Sequence, residues 1–207
     1  MRVSDKGIVE IAEHEGIVPA AYKDSVGVWT FGVGHTSSAG GLDPREMNSA
    51  MPKGAALDDA IDRALMIFKD DLQKYEHRVN DAIKVPLAQH EFDALVSFDF
   101  NTGGIYRAKL TKAINSGDKS GGGFMGWVRP PEIRKRRTAE MRLFQTGNYD
   151  ANGNTVPIWK TDGKGRLGGL ASTISGAELI RRMGGGVSPV KPYVAPSLWS
   201  ILMGLFR

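Results

Sequence analysis

The feature that most constrains the fold is a long run of apolar residues that recur every three or four positions between Ala55 and Val79. This spacing places them on one face of an α-helix. A helix of about 24 residues extends about 36 Å at the usual rise per residue, which is long enough to join two lobes. The apolar positions are Leu57, Ile61, Ala64, Leu65, Phe68, Leu72, Tyr75 and Val79.

A shorter helix is predicted near the N-terminus. Ser4 is a typical N-cap residue, and an apolar stripe with helical spacing follows it at Ile8, Ile11 and Ala12. The next step of that stripe is Glu15, and a glycine then marks the end of the helix. A carboxyl group at the core-facing position of a last turn is unusual. The plainer alternative is a partly exposed surface glutamate at a frayed helix end.

A β-hairpin is predicted after this helix. Residues 24–27 have the composition of a turn, and residues 28–35 alternate as a strand does. On this pattern Trp29, Phe31, Val33 and His35 lie on one face, and Thr30 lies on the other.

The rest of the chain predicts a helix at 89–98, a second helix marked by Leu110, Ala113 and Ile114 that ends near Gly117, and a third at 132–146, with a Gly/Pro-rich loop at 120–131. After residue 150 we expect loop structure with one short helix around 175–183. We therefore expect an N-terminal lobe (1–68), a helical lobe (69–150), a C-terminal extension packed on the body (151–186), and a Pro-rich linker with a short apolar tail (187–207).

Composition narrows the class of protein. With 41% hydrophobic and 24% charged residues, the chain is neither disordered, collagen-like nor a coiled coil. It contains no cysteine, which excludes disulfides, thiolate metal sites and cysteine nucleophiles. No segment has the length and apolar character of a signal peptide or a spanning helix, so we expect synthesis in the cytosol.

Charge is distributed unevenly along the chain. Residues 1–106 carry 10 Lys/Arg against 17 Asp/Glu, whereas residues 107–147 carry 10 against 3 and residues 160–207 carry 7 against 2. A basic C-terminal half favours an anionic partner, which composition leaves open as nucleic acid, a membrane surface or the bacterial cell wall.

Two carboxyl groups are candidates for catalysis. A glycosidase needs one protonated and one ionised carboxyl group in unlike surroundings. Glu15, on a partly apolar helix face, suits the acid, and Asp24, in a solvated turn, suits the anion. The hydroxyl of Thr30 is then placed to hold a water molecule between them. Acidic pairs at such a spacing are common, so the pair by itself is only an indication.

The sequence around these three residues, together with two segments further along the chain, gives a more specific indication of function. Residues 15–36 read EGIVPAAYKDSVGVWTFGVGHT, residues 92–103 read FDALVSFDFNTG, and residues 136–140 and 143–147 read RRTAE and LFQTG. Over about residues 4–150 this closely resembles the phage-type lysozymes, the endolysins of glycoside hydrolase family 24. Their signature is Glu, eight residues, Asp, five residues, Thr, which Glu15, Asp24 and Thr30 match without a gap.

The resemblance implies an α+β, mostly helical, two-lobed lysozyme-like fold, with a small β-hairpin lobe joined to a helical lobe by the long helix. It implies hydrolysis of the β-1,4 bond between N-acetylmuramic acid and N-acetylglucosamine in peptidoglycan, without metal or organic cofactor. Glu15 would be the general acid, and Asp24 and Thr30 would activate and position water, with inversion at the anomeric carbon. The enzyme would stay in the host cytoplasm until a holin-like pore released it to the cell wall.

Three supporting residues have weaker signals. The resemblance implies that His35 pairs with Asp71, with Asp70 as the alternative, and that Arg136 turns inward near Glu15. The basic run 134–137 has two other interpretations, a solvated helix face or a nucleic-acid surface. On a helix these side chains point in different directions, so they do not form one patch, and we expect no nucleic-acid partner. The four histidines lack the spacing of a zinc amidase.

Two other functions stay open at this point. A lytic transglycosylase would use Glu15 but would have no need of Asp24 and Thr30, and a non-enzymatic wall or membrane protein would need none of these three residues.

The apolar tail within residues 187–207 either folds back onto the body, stays disordered, or contacts anionic lipid with help from Arg181, Arg182 and Lys191. We expect a monomer.

Overall fold

The computed structural model describes residues 1–149 and 155–184. Within these residues, helices provide most of the regular structure, and the strands form two separate antiparallel sheets. The helices are α1 (Asp5–Glu15), α2 (Ala55–Ala82), α3 (Gln89–Thr102), α4 (Lys109–Asn115), α5 (Arg134–Thr146) and α6 (Gly176–Arg182). The strands are β1 (Val18–Lys23), β2 (Trp29–Gly32), β3 (His35–Thr36), β4 (Thr155–Thr161) and β5 (Leu167–Ser175).

The long helix α2 is the connection between the sheet and the other helices. Its 28 residues extend about 42 Å, slightly beyond the predicted limit at Val79. Toward its start, Ala64 packs against Gly32 of the sheet. Further along, the Tyr75 ring lies 4.9 Å from that of Phe100 in α3, measured between centroids. The predicted two-lobed α+β arrangement is confirmed.

The first sheet has the order β1-β2-β3. Tyr22 pairs with Thr30, and Phe31 pairs with His35. The prediction of one strand through His35 is wrong, because the chain turns back after Gly32, where the backbone adopts a φ of 63°. Phe31 and His35 are nevertheless both buried, since they are cross-strand neighbours.

The helical part is built around α3. Its Phe92, Leu95 and Phe98 are fully buried, and α5 packs along it. The Phe98 ring makes edge-to-face contacts with the rings of Phe124 and Trp127, which fixes the loop between α4 and α5 against the core. The predicted helices at 89–98, at Leu110 to Ile114 and at 132–146 are confirmed, with α3 extending to Thr102 and α4 ending at Asn115.

The expectation of loop structure between residue 150 and the last helix is wrong. Residues 155–175 form the antiparallel hairpin β4–β5. In β5 nearly every side chain is exposed, so the alternation of buried and exposed residues that predicts a strand is missing. Backbone pairing with β4 forms the strand instead. The short helix α6 follows where the sequence predicts it.

No helix in the described part of the chain combines the length and apolar character needed to cross a bilayer. The predicted linker and tail at 187–207 lie outside the described residues.

Candidate active site

Glu15 lies where the first helix ends and the sheet begins. The helix starts at Ser4, whose hydroxyl accepts a hydrogen bond from the Gly7 amide, and it ends where the Gly16 amide donates to the Ala12 carbonyl at 2.7 Å. Ala12 is fully buried, which anchors this end of the helix in the core. The Glu15 side chain is 20% exposed, so its carboxylate borders solvent from a largely enclosed position.

The carboxylate of Glu15 is held by an arginine from α5. Arg136 Nη1 donates to Glu15 Oε1 at 2.5 Å, and Arg136 Nε donates to Glu140 Oε1 at 3.0 Å. Glu140 is fully buried and also accepts a hydrogen bond from the Ser97 hydroxyl at 2.8 Å. The positive charge of Arg136 is therefore shared between two carboxylates, of which only Glu15 reaches solvent.

The turn between β2 and β3 lies close to the Glu15 carboxylate. A Cβ atom placed on Gly34 would lie 3.5 Å from Glu15 Oε2 and 3.6 Å from Cε1 of Phe100. With a φ of 75°, this position suits glycine for its backbone conformation as well as for space. The glycine brings main chain close to the carboxylate without a side chain between them.

Asp24 lies in the turn between β1 and β2, and its side chain organises that turn. Asp24 Oδ1 accepts hydrogen bonds from the amides of Val26 at 3.0 Å and Val28 at 2.8 Å. The Asp24 amide in turn donates to the Val28 carbonyl at 2.9 Å. These bonds fix the orientation of a carboxylate that is partly exposed to solvent.

Thr30 is connected to Asp24 through the same residue. Its hydroxyl donates to the Val28 carbonyl at 3.1 Å, and only 3% of the residue is exposed. Thr30 is thus enclosed in β2, with its hydroxyl in the hydrogen-bond system that holds Asp24.

Tyr22 is a site residue that the sequence reasoning missed. It is buried on β1, and burial, followed by the negative charges of Glu15 and Asp24, raises the pKa of its hydroxyl. The negative charges of both carboxylates therefore act on the same phenol. The available signal was its position two residues before Asp24, which is the spacing of side chains on one face of a strand.

His35 is a structural residue in this arrangement. Its Nδ1 lies 2.8 Å from Asp71 Oδ2, and its Nε2 lies 2.9 Å from the Leu42 carbonyl. Both partners are acceptors, so both ring nitrogens donate when the imidazole is protonated. The hydrogen bond to Asp71 raises the pKa of His35, while burial opposes the shift. Asp70, the alternative partner, is exposed and accepts from Gln73.

Beside Glu15 is a cavity of about 440 Å³, lined by residues of α1, α3 and α5 and by Glu132 and Ile133. His14 also lines it, and burial together with Arg136 lowers the pKa of this histidine to about 3, so that it stays neutral. A cavity of about 930 Å³ lies between β1 and the start of α2. The described lining of this larger cavity includes neither Glu15, Asp24 nor Thr30. The smaller cavity is lined by Glu15 and Arg136 but by neither Asp24 nor Thr30, so neither cavity contains all three predicted catalytic residues.

The basic run 134–137 divides into two pairs. Arg134 and Lys135 are exposed, whereas Arg136 and Arg137 are buried. Arg137 Nη1 lies 2.7 Å from the second oxygen of Glu140, and burial lowers the pKa of this arginine to about 10. In the described residues, no group of three or more His, Asp or Glu side chains is placed to hold a metal ion.

Comparison with known proteins identifies the family. Residues 12–140, which contain Glu15, Asp24, Thr30 and Arg136, match the family model described as phage lysozyme. The chain belongs to the phage lysozyme family. It is therefore a glycosidase that acts on the peptidoglycan of the bacterial cell wall, as the resemblance implied.

Relatives and solved structures agree with this assignment. The endolysin of Acyrthosiphon pisum secondary endosymbiont phage 1 is 32% identical over 161 residues, which cover 70% of this chain and 99% of the relative. The endolysin of Escherichia coli O157:H7 phage FAHEc1 superimposes with a TM-score of 0.59 at 29% identity, over 72% of this chain and 96% of the other. The muramidase domain of SpmX from Asticaccaulis excentricus gives a TM-score of 0.55 at 26% identity, and the match covers 70% of this chain and 98% of that domain.

Proposed function

We propose that this enzyme hydrolyses the β-1,4 bond between N-acetylmuramic acid and N-acetylglucosamine with inversion, using Glu15 as the general acid and Asp24 with Thr30 as the water-activating pair. The observation that carries the proposal is the difference between the two carboxyl groups. Glu15 is largely enclosed and paired with a buried arginine, whereas Asp24 lies in an exposed turn that fixes its orientation. A glycosidase requires two carboxyl groups in unlike surroundings, which these two residues have.

In the proposed step, Glu15 transfers its proton to the glycosidic oxygen as the bond from that oxygen to the anomeric carbon breaks. A water molecule gives its proton to Asp24 and attacks the anomeric carbon from the opposite face. The Arg136 guanidinium stabilises the carboxylate that Glu15 becomes in this step. The product is a free reducing end, and Glu15 and Asp24 then return to their starting protonation states through solvent.

Product analysis on purified peptidoglycan tests the chemistry. We expect free reducing ends with the wild type and a loss of at least about 100-fold in rate with Glu15→Gln. Asp5→Asn is the control, because Asp5 is an exposed carboxylate on the same helix as Glu15 and lines neither cavity. Anhydromuramyl ends would make the enzyme a lytic transglycosylase, and absence of sugar cleavage would overturn the proposal.

Inversion needs its own measurement. Proton NMR of the first product from a soluble glycan chain distinguishes the two anomers before they interconvert. The α-anomer from a β-linked substrate is the expected result. The β-anomer would show retention and would remove the proposed role of Asp24 as a base toward water.

We propose that the enzyme stays in the host cytoplasm until a holin-like pore gives it access to the wall. Its membership of a phage lysozyme family supports this route. Cells that express the chain alone should keep intact walls, and co-expression of a holin should lyse them. Lysis without a holin would contradict the proposal.

For partners, we propose a monomer that binds glycan strands and not nucleic acid. The burial of Arg136 and Arg137 supports the absence of nucleic-acid binding, because it leaves Arg134 and Lys135 as the exposed members of the basic run.

We also propose that residues 187–207 contact anionic lipid, on the basis of their apolar and basic composition. Deletion of this tail should reduce leakage from anionic liposomes and leave wall hydrolysis unchanged.

A further inference from the structure

We infer that the β4–β5 hairpin is a positioning element of the active site, because it holds both ends of β1 and with them the two carboxyl groups. The inference rests on the proposed roles of Glu15 and Asp24. The hairpin follows the part of the chain, residues 12–140, that matches the family model. Its contacts are therefore additional to the residues that define the family.

The first end of β1 is held just after Glu15. The Ile17 amide donates to the Pro157 carbonyl at 2.8 Å, and the Trp159 amide donates back to the Ile17 carbonyl at 2.9 Å. The Trp159 indole packs directly against the backbone of Gly16 and leaves no space for a Cβ atom there. Hydrogen bonds and a ring thus fix the two residues that follow the general acid.

The second end of β1 is held just before Asp24. The Lys23 amide donates to the Gly165 carbonyl at 2.7 Å. A Cβ atom on Gly165 would lie 2.6 Å from Cη2 of Trp29, so the glycine backbone lies directly against the indole. The Lys23 ammonium lies 5.3 Å from the centroid of that ring on its face.

The amide hydrogens along the outer edge of β1 and of the residue before it are all bonded. Alternate residues of this edge are Ile17, Pro19, Ala21 and Lys23, and Pro19 has no amide hydrogen. The other three donate to segments outside the sheet, with Ala21 bonded to the Asn48 carbonyl at 3.0 Å. The hairpin provides the acceptors at the two ends, so without it both terminal amides of this edge would turn to solvent.

The contact at the second end joins two turns of the same kind. In each, the aspartate Oδ1 accepts from the amides two and four residues later, at 3.0 and 2.8 Å for Asp24 and at 2.8 and 3.0 Å for Asp162. The two turns lie against each other through Lys23, Gly165 and Trp29. The hydrogen-bonded turn at Asp162 therefore packs against the hydrogen-bonded turn that contains the proposed base, Asp24.

This arrangement matters because the two carboxyl groups act on opposite faces of one sugar. β1 is the segment that joins them, so a change in its position moves Asp24 relative to Glu15. A displacement of about 1 Å at reacting groups can cost about 100-fold in rate. Trp159 and Gly165 act through β1, which makes them positioning residues.

Two glycines of the same turn give a matched experiment. Gly163 and Gly165 have φ values of 77° and 80°, so alanine strains the backbone equally at both positions. Only at Gly165 does the new methyl group meet Trp29, whereas Gly163 has open space around it. We expect Gly165→Ala to speed hydrogen exchange at the Lys23 amide and to lower kcat about tenfold with little change in KM. Gly163→Ala has the same backbone strain, but it should match the wild type in kcat and in hydrogen exchange at the Lys23 amide.

Two substitutions of Trp159 provide a second test of the inference if Gly165→Ala folds poorly. Trp159→Ala should lower kcat and expose the Ile17 amide to exchange, and Trp159→Phe should restore most of both because a ring remains against Gly16. Lys160→Ala, at an exposed position of the same strand, is the control. Near-UV circular dichroism establishes that each variant is folded at the assay temperature.

Each result decides one point. Equal exchange at the Lys23 amide in Gly165→Ala and Gly163→Ala would show that the hairpin does not hold β1. Faster exchange at the Lys23 amide in Gly165→Ala with an unchanged kcat would show that the contact between the hairpin and β1 has no effect on catalysis. Either result overturns the inference. If the wild type cleaves no glycan, the proposed function fails, and the exchange comparison still establishes whether the hairpin holds β1.

Discussion

Arg136 Nη1 lies 2.5 Å from Glu15 Oε1, although 121 positions separate the two residues in the sequence. The arginine is only 7% exposed and also donates to the Ser97 carbonyl at 3.2 Å. It therefore connects the end of the first helix to the helical core and the candidate acid to a buried network. Both stability and activity should depend on this one side chain.

Replacing Arg136 with Met should lower the free energy of unfolding by about 3 kcal/mol or more, because it leaves Glu140 charged and buried with less compensation. Urea denaturation at neutral pH measures this. Arg134→Met on the same helix is exposed and should change the free energy by less than about 0.5 kcal/mol. Equal effects of the two substitutions would show that the buried network does not depend on Arg136.

Asp24 has a structural role and a proposed catalytic role, and two substitutions separate them. Asp24→Asn keeps an Oδ1 acceptor for the Val26 and Val28 amides but removes the charge, so it should preserve stability and lower kcat at least about 100-fold. Asp24→Ala should also lower the free energy of unfolding by about 1 kcal/mol, because both amides lose their acceptor. Reducing-end assays and urea denaturation measure the two effects.

The chain contains the control for this prediction. Asp162 accepts from the Lys164 and Arg166 amides in the same turn geometry, and its charge has no part in the proposed reaction although its turn lies against that of Asp24. Asp162→Asn should therefore leave kcat within about twofold of the wild type, as expected for a surface substitution that keeps its acceptor. A loss of activity similar to that of Asp24→Asn, with unchanged hydrogen exchange at the Lys23 amide, would remove the argument for a catalytic charge at Asp24.

Thr30 should contribute through its hydroxyl. Thr30→Val keeps the shape of the side chain and removes the hydrogen bond to the Val28 carbonyl, which still accepts from the Asp24 amide. Stability should fall by about 1 kcal/mol or less, while kcat falls at least about tenfold through loss of the water ligand. Thr30→Ser should keep most of the activity, and equal activity of the two variants would contradict the proposed role.

The pair formed by His35 and Asp71 should make stability depend on pH. The pKa of His35 is raised in the folded protein, so the folded state binds this proton more tightly than the unfolded chain. The resulting stabilisation is fully present below about pH 6.5 and is lost as the pH rises through the raised pKa. Asp71→Asn should therefore destabilise the protein more at about pH 6 than at about pH 9, as measured by urea denaturation.

Asp70→Asn is the control for this pH dependence, since Asp70 is exposed and adjacent in sequence. Its effect on the free energy of unfolding should be small and nearly the same at both pH values. A pH dependence equal to that of Asp71→Asn would assign the effect to general charge and not to the His35 pair.

Much of the fold follows from patterns that are local in the sequence. The apolar spacing from Leu57 to Val79 predicts α2, and the cap at Ser4 predicts the start of α1. Both succeed because a helix and its cap depend on contacts within a few residues. The hairpin β4–β5 was missed because β5 exposes its side chains, so that pairing with another segment decides its structure.

The sequence by itself determined the helices, the turn at Asp24 and the spacing of Glu15, Asp24 and Thr30, since those depend on neighbouring residues and on a motif read in order. Only the tertiary structure decided that Arg136 holds Glu15, that Asp71 and not Asp70 faces His35, and that Gly165 holds Lys23. These contacts join segments between 36 and 142 positions apart. Local preferences carry no information about such contacts, because they form only when packing of the core brings distant segments together.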